Sequence, residues 1–169
     1  MINKMINKFF KISLIAFSVV LIDACSVKKI SWDYELICQG VGGSGTELVK
    51  CYSYGKTFNH ARKQVKRDAV HGYLFKGVSA KSNLCSEKPP VCHVSYEQER
   101  KWFDNFFKSE DYLQYVTLSN DGNVSASDRI KMPNGKYKVG FTVAIKSDLL
   151  RKRMEKEGYA KGMHDVFDN

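Results

Sequence analysis

A regular alternation of apolar and polar residues marks the clearest strand, in the last third of the chain. The apolar members of this alternation are Tyr137, Val139, Phe141, Val143 and Ile145. Because successive side chains of a strand point to opposite faces, the pattern predicts a strand over residues 136–146 with one buried face. Asn134-Gly135, just before it, is a strong hairpin-turn signal, so residues 124–132 are predicted as its antiparallel partner.

Three other segments have the composition of strands. Residues 32–38 and 47–54 flank a glycine-dense stretch over 40–45, which predicts a hairpin with a long turn. Residues 112–118 are also rich in β-formers. A glycine-rich turn can instead cradle phosphate, but the nucleotide motifs need a helix directly after the glycines, and a strand is predicted there.

Apolar residues at steps of three and four predict three helices. The longest covers residues 57–75, where Phe58, Ala61, Val65, Ala69 and Gly72 form one stripe and Thr57 or Asn59 caps the start. A second is predicted over 96–108, with a bulky aromatic side, and a third over 149–158, with Gly158 as its stop. Together with the strands, these helices predict an α+β fold: an antiparallel sheet of about five strands with helices packed on one face.

The first residues of the chain have the features of an export signal. Residues 1–11 contain three lysines and no acidic residue, and residues 12–22 are almost wholly apolar. An apolar stretch of this length falls short of the roughly 20 residues that a membrane-spanning helix needs.

The end of this leader, Leu21-Ile22-Asp23-Ala24-Cys25, resembles the bacterial lipobox. The resemblance implies that the Cys25 thiol receives diacylglycerol and that the chain is cut just before it and then acylated. Asp23 departs from the pattern, because that position is normally small and uncharged. Ser26 is compatible, by the rule of that family, with onward transport to the outer membrane. An ordinary secretory signal or an uncleaved anchor are the alternatives.

These features divide the chain into four parts. We expect a lipoprotein signal peptide over 1–24, a lipidated tether over 25–31, a single α+β domain over 32–158 and a C-terminal tail over 159–169. The formal net charge is +9, and it falls to +7 when the leader, with its three lysines and Asp23, is removed. Beyond an export signal, such a charge favours anionic lipid head groups, lipopolysaccharide phosphates or an acidic protein as partners, and not nucleic acid.

Four cysteines remain once Cys25 carries lipid. In an oxidising compartment an even number indicates disulfides, and four cysteines allow three connectivities. We favour Cys85–Cys92, which bracket a short loop with two prolines, and Cys38–Cys51 as the second pair. Buried free thiols are the alternative. A metal site at Cys85, Cys92 and His93 matches no standard zinc spacing, so no metal is predicted.

One helix face carries the clearest candidate contact surface. Arg62, Lys63, Lys66 and Arg67 cluster on the polar side of the 57–75 helix, either as a solvated face or as a contact for an anionic ligand. No motif for a catalytic serine, a catalytic thiol or a zinc protease is present, and the four histidines lack metal-site spacing. The sequence therefore predicts no enzyme and no cofactor.

Residues 49–72 and 137–158 together resemble small bacterial outer-membrane lipoproteins of the twenty-kilodalton type, whose domain also occurs in a flagellar assembly protein. In that group a strand feeds a helix with alanines at regular steps, and a later strand feeds a Leu-Arg-rich helix. The resemblance implies an α+β domain that binds other envelope components, with no catalytic residues to carry over.

The predicted function is therefore a lipid-anchored interaction or scaffold module of the bacterial cell envelope, held at the outer membrane and without catalysis. Its expected partners are the membrane, through the N-terminal lipid, and an envelope protein. The alternative is a binding lipoprotein that captures an anionic ligand or glycan through the basic helix face. A hydrolase of envelope polymers would need a deep cleft with converging carboxylates.

Overall fold

Five strands form one antiparallel sheet in the computed structural model, which describes residues 32–80 and 85–162. The strands are β1 (Tyr34–Val41), β2 (Glu47–Gly55), β3 (Val116–Leu118), β4 (Arg129–Lys131) and β5 (Tyr137–Ile145). Their order is β1-β2-β5-β3, and β4 also pairs with β5. β3 pairs with the last residues of β5 and β4 with its first ones, so the two short strands share its outer edge.

Three α-helices lie in the described part of the chain: α1 (Phe58–Phe75), α2 (Arg100–Lys108) and α3 (Ser147–Lys156). The inward residues of β2 and β5 form one core with apolar residues of all three helices, among them Val65, Phe103 and Met154. The predicted α+β architecture, with helices on one face of a five-stranded antiparallel sheet, is therefore confirmed. None of these helices is long and apolar enough to cross a bilayer.

Helix α1 follows the predicted pattern closely. The Thr57 side chain accepts a hydrogen bond from the His60 backbone N–H and so caps the helix. Gly72 permits close packing on the sheet, because a Cβ there would lie 2.5 Å from a Leu36 methyl group. Gly158 has a left-handed φ of +79° just after α3, as the predicted helix stop requires.

Three predicted elements are shorter than expected. Helix α2 begins at Arg100, and ahead of it Ser95 and Gln98 exchange two hydrogen bonds across a turn. The predicted strand over 112–118 is a 3-10 helix (Asp111–Tyr115) followed by the three residues of β3. A 3-10 turn puts Tyr112 and Tyr115 on one side, where both rings contact aromatic residues of α2. The strand predicted over 124–132 is reduced to β4.

The folded domain also extends past the predicted boundary at residue 158. The Tyr159 ring packs edge-on against Trp102, with ring centroids 5.1 Å apart. The Tyr159 carbonyl accepts a hydrogen bond from the His93 N–H, and Ala160 is buried in the core. The first residues of the predicted tail therefore belong to the domain.

The predicted disulfide pairing is wrong. Cys38 bonds to Cys85, with Cα atoms 6.1 Å apart, and Cys51 and Cys92 are buried free thiols. In the β1–β2 register Cys38 faces Val49, whereas Cys51 faces Leu36, so the two strand cysteines are not directly opposed.

The loop after α1 explains the observed partner of Cys38. Ser79 runs beside β1, where its N–H donates to the Leu36 carbonyl and its carbonyl accepts from the Cys38 N–H. Val78, just before Ser79, pairs with Lys88 in an antiparallel bridge, so the chain reverses direction between these two residues. This reversal brings Cys85 close to Cys38. Cys92 lies beyond this turn, with its N–H bonded to the Leu74 carbonyl.

We expect the free thiols to react only after unfolding. Burial raises the pKa of the Cys92 thiol to about 12 and also raises that of Cys51, so both remain protonated and inaccessible. Apart from Cys25, iodoacetamide should label no cysteine of the native protein and two in urea, and peptide mapping should recover a Cys38–Cys85 linked pair. Recovery of a Cys85–Cys92 peptide would contradict this connectivity.

We expect Gly55→Ala to destabilise the fold by about 1–3 kcal/mol, as overpacking does in other cores. A Cβ at Gly55 would lie 2.6 Å from the Ala61 backbone nitrogen, which the first turn of α1 holds in place. Gly43→Ala is the matched control, since a Cβ there meets nothing within 4 Å. Urea unfolding measures both variants, and equal midpoints would contradict the expected steric conflict.

Candidate functional site

A polar pocket lies where β2 begins beside the start of α3. The alternation along β2 turns Glu47 inward, together with Val49 and Cys51, although Glu47 is charged. Its carboxylate lines a cavity of about 190 Å³, here called the Glu47 pocket. The other lining residues are Tyr73, Lys88, Pro89, Val91, Ser147, Asp148 and Arg151.

The Glu47 carboxylate is only half satisfied. Its Oε1 accepts hydrogen bonds from the Tyr73 hydroxyl at 2.8 Å and from the Lys88 ammonium at 2.6 Å. Its Oε2 is buried and has no hydrogen-bond partner, and the residue is 6% exposed. A buried carboxylate oxygen without a donor is costly, so the fold must offset this cost through the two hydrogen bonds to Oε1 and through the packing around Glu47.

Tyr73 remains a hydrogen-bond donor at physiological pH. Burial raises the pKa of its phenol, and the hydrogen bond to Glu47 raises it further. The neutral phenol therefore fixes one carboxylate oxygen of Glu47 by donating a hydrogen bond to it.

The first turn of α3 forms the opposite wall. The Ser147 hydroxyl and the Asp148 N–H both donate to the Gly45 carbonyl, at 2.8 Å and 3.3 Å, which ties the helix start to the β1–β2 turn. Arg151 lies one turn further along, and its guanidinium has no ion pair or hydrogen bond with any described residue. The pocket thus contains two acidic and two basic side chains. Oε2 of Glu47 is its buried atom without a partner, whereas the half-exposed Arg151 can be hydrated.

The predicted basic face is only partly available for a ligand. Arg62 donates to the Asp121 carbonyl at 2.8 Å and so holds a turn in which Asn120 and Asp121 are both left-handed. Arg67 lies over the Trp32 ring, 4.9 Å from its centroid, and 3.5 Å from a carboxylate oxygen of Asp68.

Lys63 and Lys66 complete that face and have no ion pair or hydrogen bond within the described ranges. The four residues therefore divide into two that stabilise the fold and two that face outward without a partner. That the face binds an anion stays a prediction.

A second notable cluster consists of aromatic side chains packed around the buried imidazole of His71 on α1. Trp32 stacks on the imidazole with ring centroids 3.6 Å apart, and the Tyr34 hydroxyl lies 2.6 Å from Nδ1. Phe75, Tyr96 and Phe107 close the remaining sides of this His71 cluster. The imidazole is 4% exposed and its Nε2 has no partner. The cluster holds the start of the described domain, at Trp32, against α1.

A third polar group is enclosed in the core. The Ser53 hydroxyl donates to an Asp68 carboxylate oxygen at 2.7 Å, and the Cys51 sulfur lies 3.9 Å from the same hydroxyl. Burial raises the pKa of Asp68. Because Ser53 and Cys51 have no exposed surface, this network stabilises the packing of α1 on β2 and is closed to substrates.

The other site predictions made from the sequence compare with the structure as follows: some lie outside the described residues, and some site residues were missed. Cys25 lies outside the described residues. Among the residues that are described, no three metal-ligating side chains converge. Glu47 and Tyr73 were missed as site residues, because both faces of the strand over 47–54 carry apolar residues and the sequence did not show which face is buried. Arg151 carried no sequence signal, because a basic residue on a helix is common.

Comparison of the chain with protein-family models, with curated proteins and with solved structures finds no match. The geometry of the site and the sequence pattern are therefore the grounds for a functional proposal.

We expect the stability of the domain to fall in mild acid because of His71. Burial, with help from the Lys76 and Arg67 charges, lowers the pKa of His71 from 6.5 to about 3. The unfolded state therefore binds an extra proton between these values, and His71 should remove up to about 1.4 kcal/mol of stability per pH unit as pH falls from 6.5 to 3.

Urea unfolding of the full chain at several pH values measures this effect. His71→Phe keeps an aromatic ring in the stack but cannot titrate, so its stability should fall less steeply than that of the wild type in this pH range. Parallel pH profiles for the two proteins would contradict the assignment.

Proposed function

We propose that this protein is a lipid-anchored interaction module of the bacterial cell envelope. The observation that carries the proposal is the disulfide between Cys38 and Cys85. Disulfides persist in oxidising compartments such as the periplasm and are rare in the cytosol. The bond is consistent with the export that the leader and Cys25 predict.

The proposed anchor is the lipid on Cys25. Each buried methylene adds about 0.8 kcal/mol of membrane affinity, and stable anchoring takes a second signal beside one acyl chain. A diacylglycerol thioether with an additional acyl group on the new amine meets that requirement. Ser26 supports an outer-membrane location by the lipobox rule alone.

The exposed sheet face supports an interaction role. All three described helices pack on the opposite face, which leaves the outward side chains of β2 and β5 without a helical layer. Tyr52 and Lys50 there hydrogen bond to Asp128, and Lys138 pairs with Glu35. Tyrosines held in place by such bonds lose little freedom on binding, so they suit contact with a partner protein.

The alternative function, capture of an anionic ligand or glycan, is favoured by a single observation. Lys63 and Lys66 face outward with no partner in the described part of the chain. Two lysines offer an anionic ligand fewer contacts than the four basic residues predicted from the sequence. We therefore rank this function second. The resemblance to twenty-kilodalton outer-membrane lipoproteins, and the absence of catalysis that it implies, stay predictions.

We expect Cys25→Ser to remove the protein from the outer-membrane fraction. Without the thiol there is no attachment point for diacylglycerol, and the leader should remain uncleaved or be cut elsewhere. Fractionation together with intact mass reports both changes. Ser26→Ala is the matched control and should behave as the wild type. Membrane association and mass unaltered by Cys25→Ser would overturn the proposed anchor.

A further inference from the structure

We propose that one end of the domain docks on the anionic head groups of the bilayer that holds the Cys25 lipid. This surface, here called the basic end, consists of Lys56, Lys63, Arg129, Lys131 and Lys136. The proposal rests on the proposed lipid anchor and adds which face of the domain contacts the membrane.

The sheet register brings three of these residues together. Gly55, Tyr137 and Lys131 pair in one row across β2, β5 and β4. Lys56 follows Gly55 directly, and Lys136 comes just before Tyr137. The end of β2, the end of β4 and the turn before β5 therefore present their lysines side by side.

The start of α1 brings two more basic residues to this end. The helix begins at Phe58, just after β2, and the Arg129 guanidinium carbon lies 4.7 Å from the centroid of the Phe58 ring. A cation–π contact of this kind holds the guanidinium in place without neutralising its charge. Lys63 lies on the exposed side of the same part of α1.

The charge of the basic end is not neutralised within the described part of the chain. All five side chains are exposed there, and none makes an ion pair. The neighbouring Asp128 bonds instead to Lys50, at 2.7 Å, and to the Tyr52 hydroxyl, at 2.9 Å. Asp33, exposed ahead of β1, offsets one of the five charges at most. An uncompensated cluster of one sign attracts an anionic surface.

The chain that leads to the anchor leaves the domain close to the basic end. Tyr34, at the start of β1, stands in one row across the sheet with Ser53, Val139 and Arg129. Three strand spacings separate the two ends of this row, which is about 14 Å. The start of β1 and the basic end therefore lie at the same end of the sheet.

Trp32, the residue that the tether reaches first, also lies beside these charges. Its ring centroid is 4.9 Å from the guanidinium carbon of Arg67, and Arg67 follows Lys63 by one turn of α1. Trp32 follows Cys25 by seven residues, which span at most about 25 Å when the chain is fully extended. A lipid on Cys25 therefore keeps the basic end within reach of head-group phosphates.

The other end of the sheet is also basic but lies farther from the tether. Helix α3, with the exposed Lys152, begins where β5 ends, eight residues along that strand from Tyr137. Eight steps of a strand cover about 27 Å, which is about as far as the tether itself can reach. Charge alone does not choose between the two ends, whereas the position of the tether favours the basic end.

An exposed apolar side chain favours a lipid surface over an acidic protein. Ile130 is 46% exposed between Arg129 and Lys131. Basic residues beside an exposed aliphatic side chain suit the head-group layer, where phosphates lie above acyl chains. Each basic residue near an anionic leaflet strengthens membrane binding by about fivefold.

Lysine footprinting of the full lipidated chain tests this orientation. The protein is placed in vesicles of phosphatidylcholine, with or without phosphatidylglycerol, and acetylation of each lysine is followed by mass spectrometry. We expect the four lysines of the basic end to react at least about threefold more slowly in the anionic vesicles, and high salt to reverse this protection. Lys146 and Lys152, exposed at the other end of the sheet, are internal controls and should react alike in both vesicles.

Unprotected lysines at the basic end, or equal slowing of the two controls, would overturn the proposed orientation. Flotation with phosphatidylcholine vesicles and intact mass report the lipid anchor separately. A chain without lipid would overturn both proposals, whereas a lipidated chain without protection would overturn this one alone.

Charge reversal tests the contact directly. Lys131→Glu combined with Lys136→Glu changes two exposed residues of the basic end, and Lys146→Glu combined with Lys152→Glu makes the same change of charge at the other end. The remaining lysines of the basic end should lose their protection in the first double variant and keep it in the second. Circular dichroism checks folding, and glutamine replaces glutamate if folding is lost. Unchanged protection in the first double variant would overturn the proposal.

Discussion

The pairing of β2 with β5 over nine consecutive positions is the constraint on which the rest of the structure depends. An unbroken antiparallel register fixes which residues of both strands point inward, and a slip by one position would turn every one of them to solvent. The inward set on β2 includes two polar residues, Glu47 and Ser53. The register that places apolar side chains in the core therefore also places a carboxylate and a hydroxyl on the buried face of the sheet.

Helix α1 provides hydrogen-bond partners for both of these buried polar side chains. Its Asp68 accepts the Ser53 hydrogen bond, and its Tyr73 donates to Glu47. The same helix also carries His71 into the aromatic cluster. A helix that only covered apolar surface would need none of these residues. The polar contacts tie α1 to β2 at two separate points and so specify how the helix lies along the sheet.

Much of the fold was predictable because its signals are local. The alternation of β5, the Asn134-Gly135 turn and the Thr57 cap each involve neighbouring residues, and the structure follows all three. The Cys38–Cys85 bond was not predictable, because it depends on a loop running beside β1, a contact between segments distant in sequence. The 3-10 helix before β3 also depends on tertiary packing of aromatic rings. Site residues such as Arg151 become visible only when α3 meets β2.

The position of the disulfide has a mechanical consequence. β1 is an edge strand, and the chain enters it from Trp32, so tension on the preceding residues would peel β1 from β2 starting at the Tyr34–Ser53 pair. Peeling of this kind breaks backbone hydrogen bonds one after another at low force. At Cys38 the advancing rupture meets a covalent bond to the loop, and further opening requires that loop to move as well. The molecule is thereby reinforced against extraction at the end where a tether would pull.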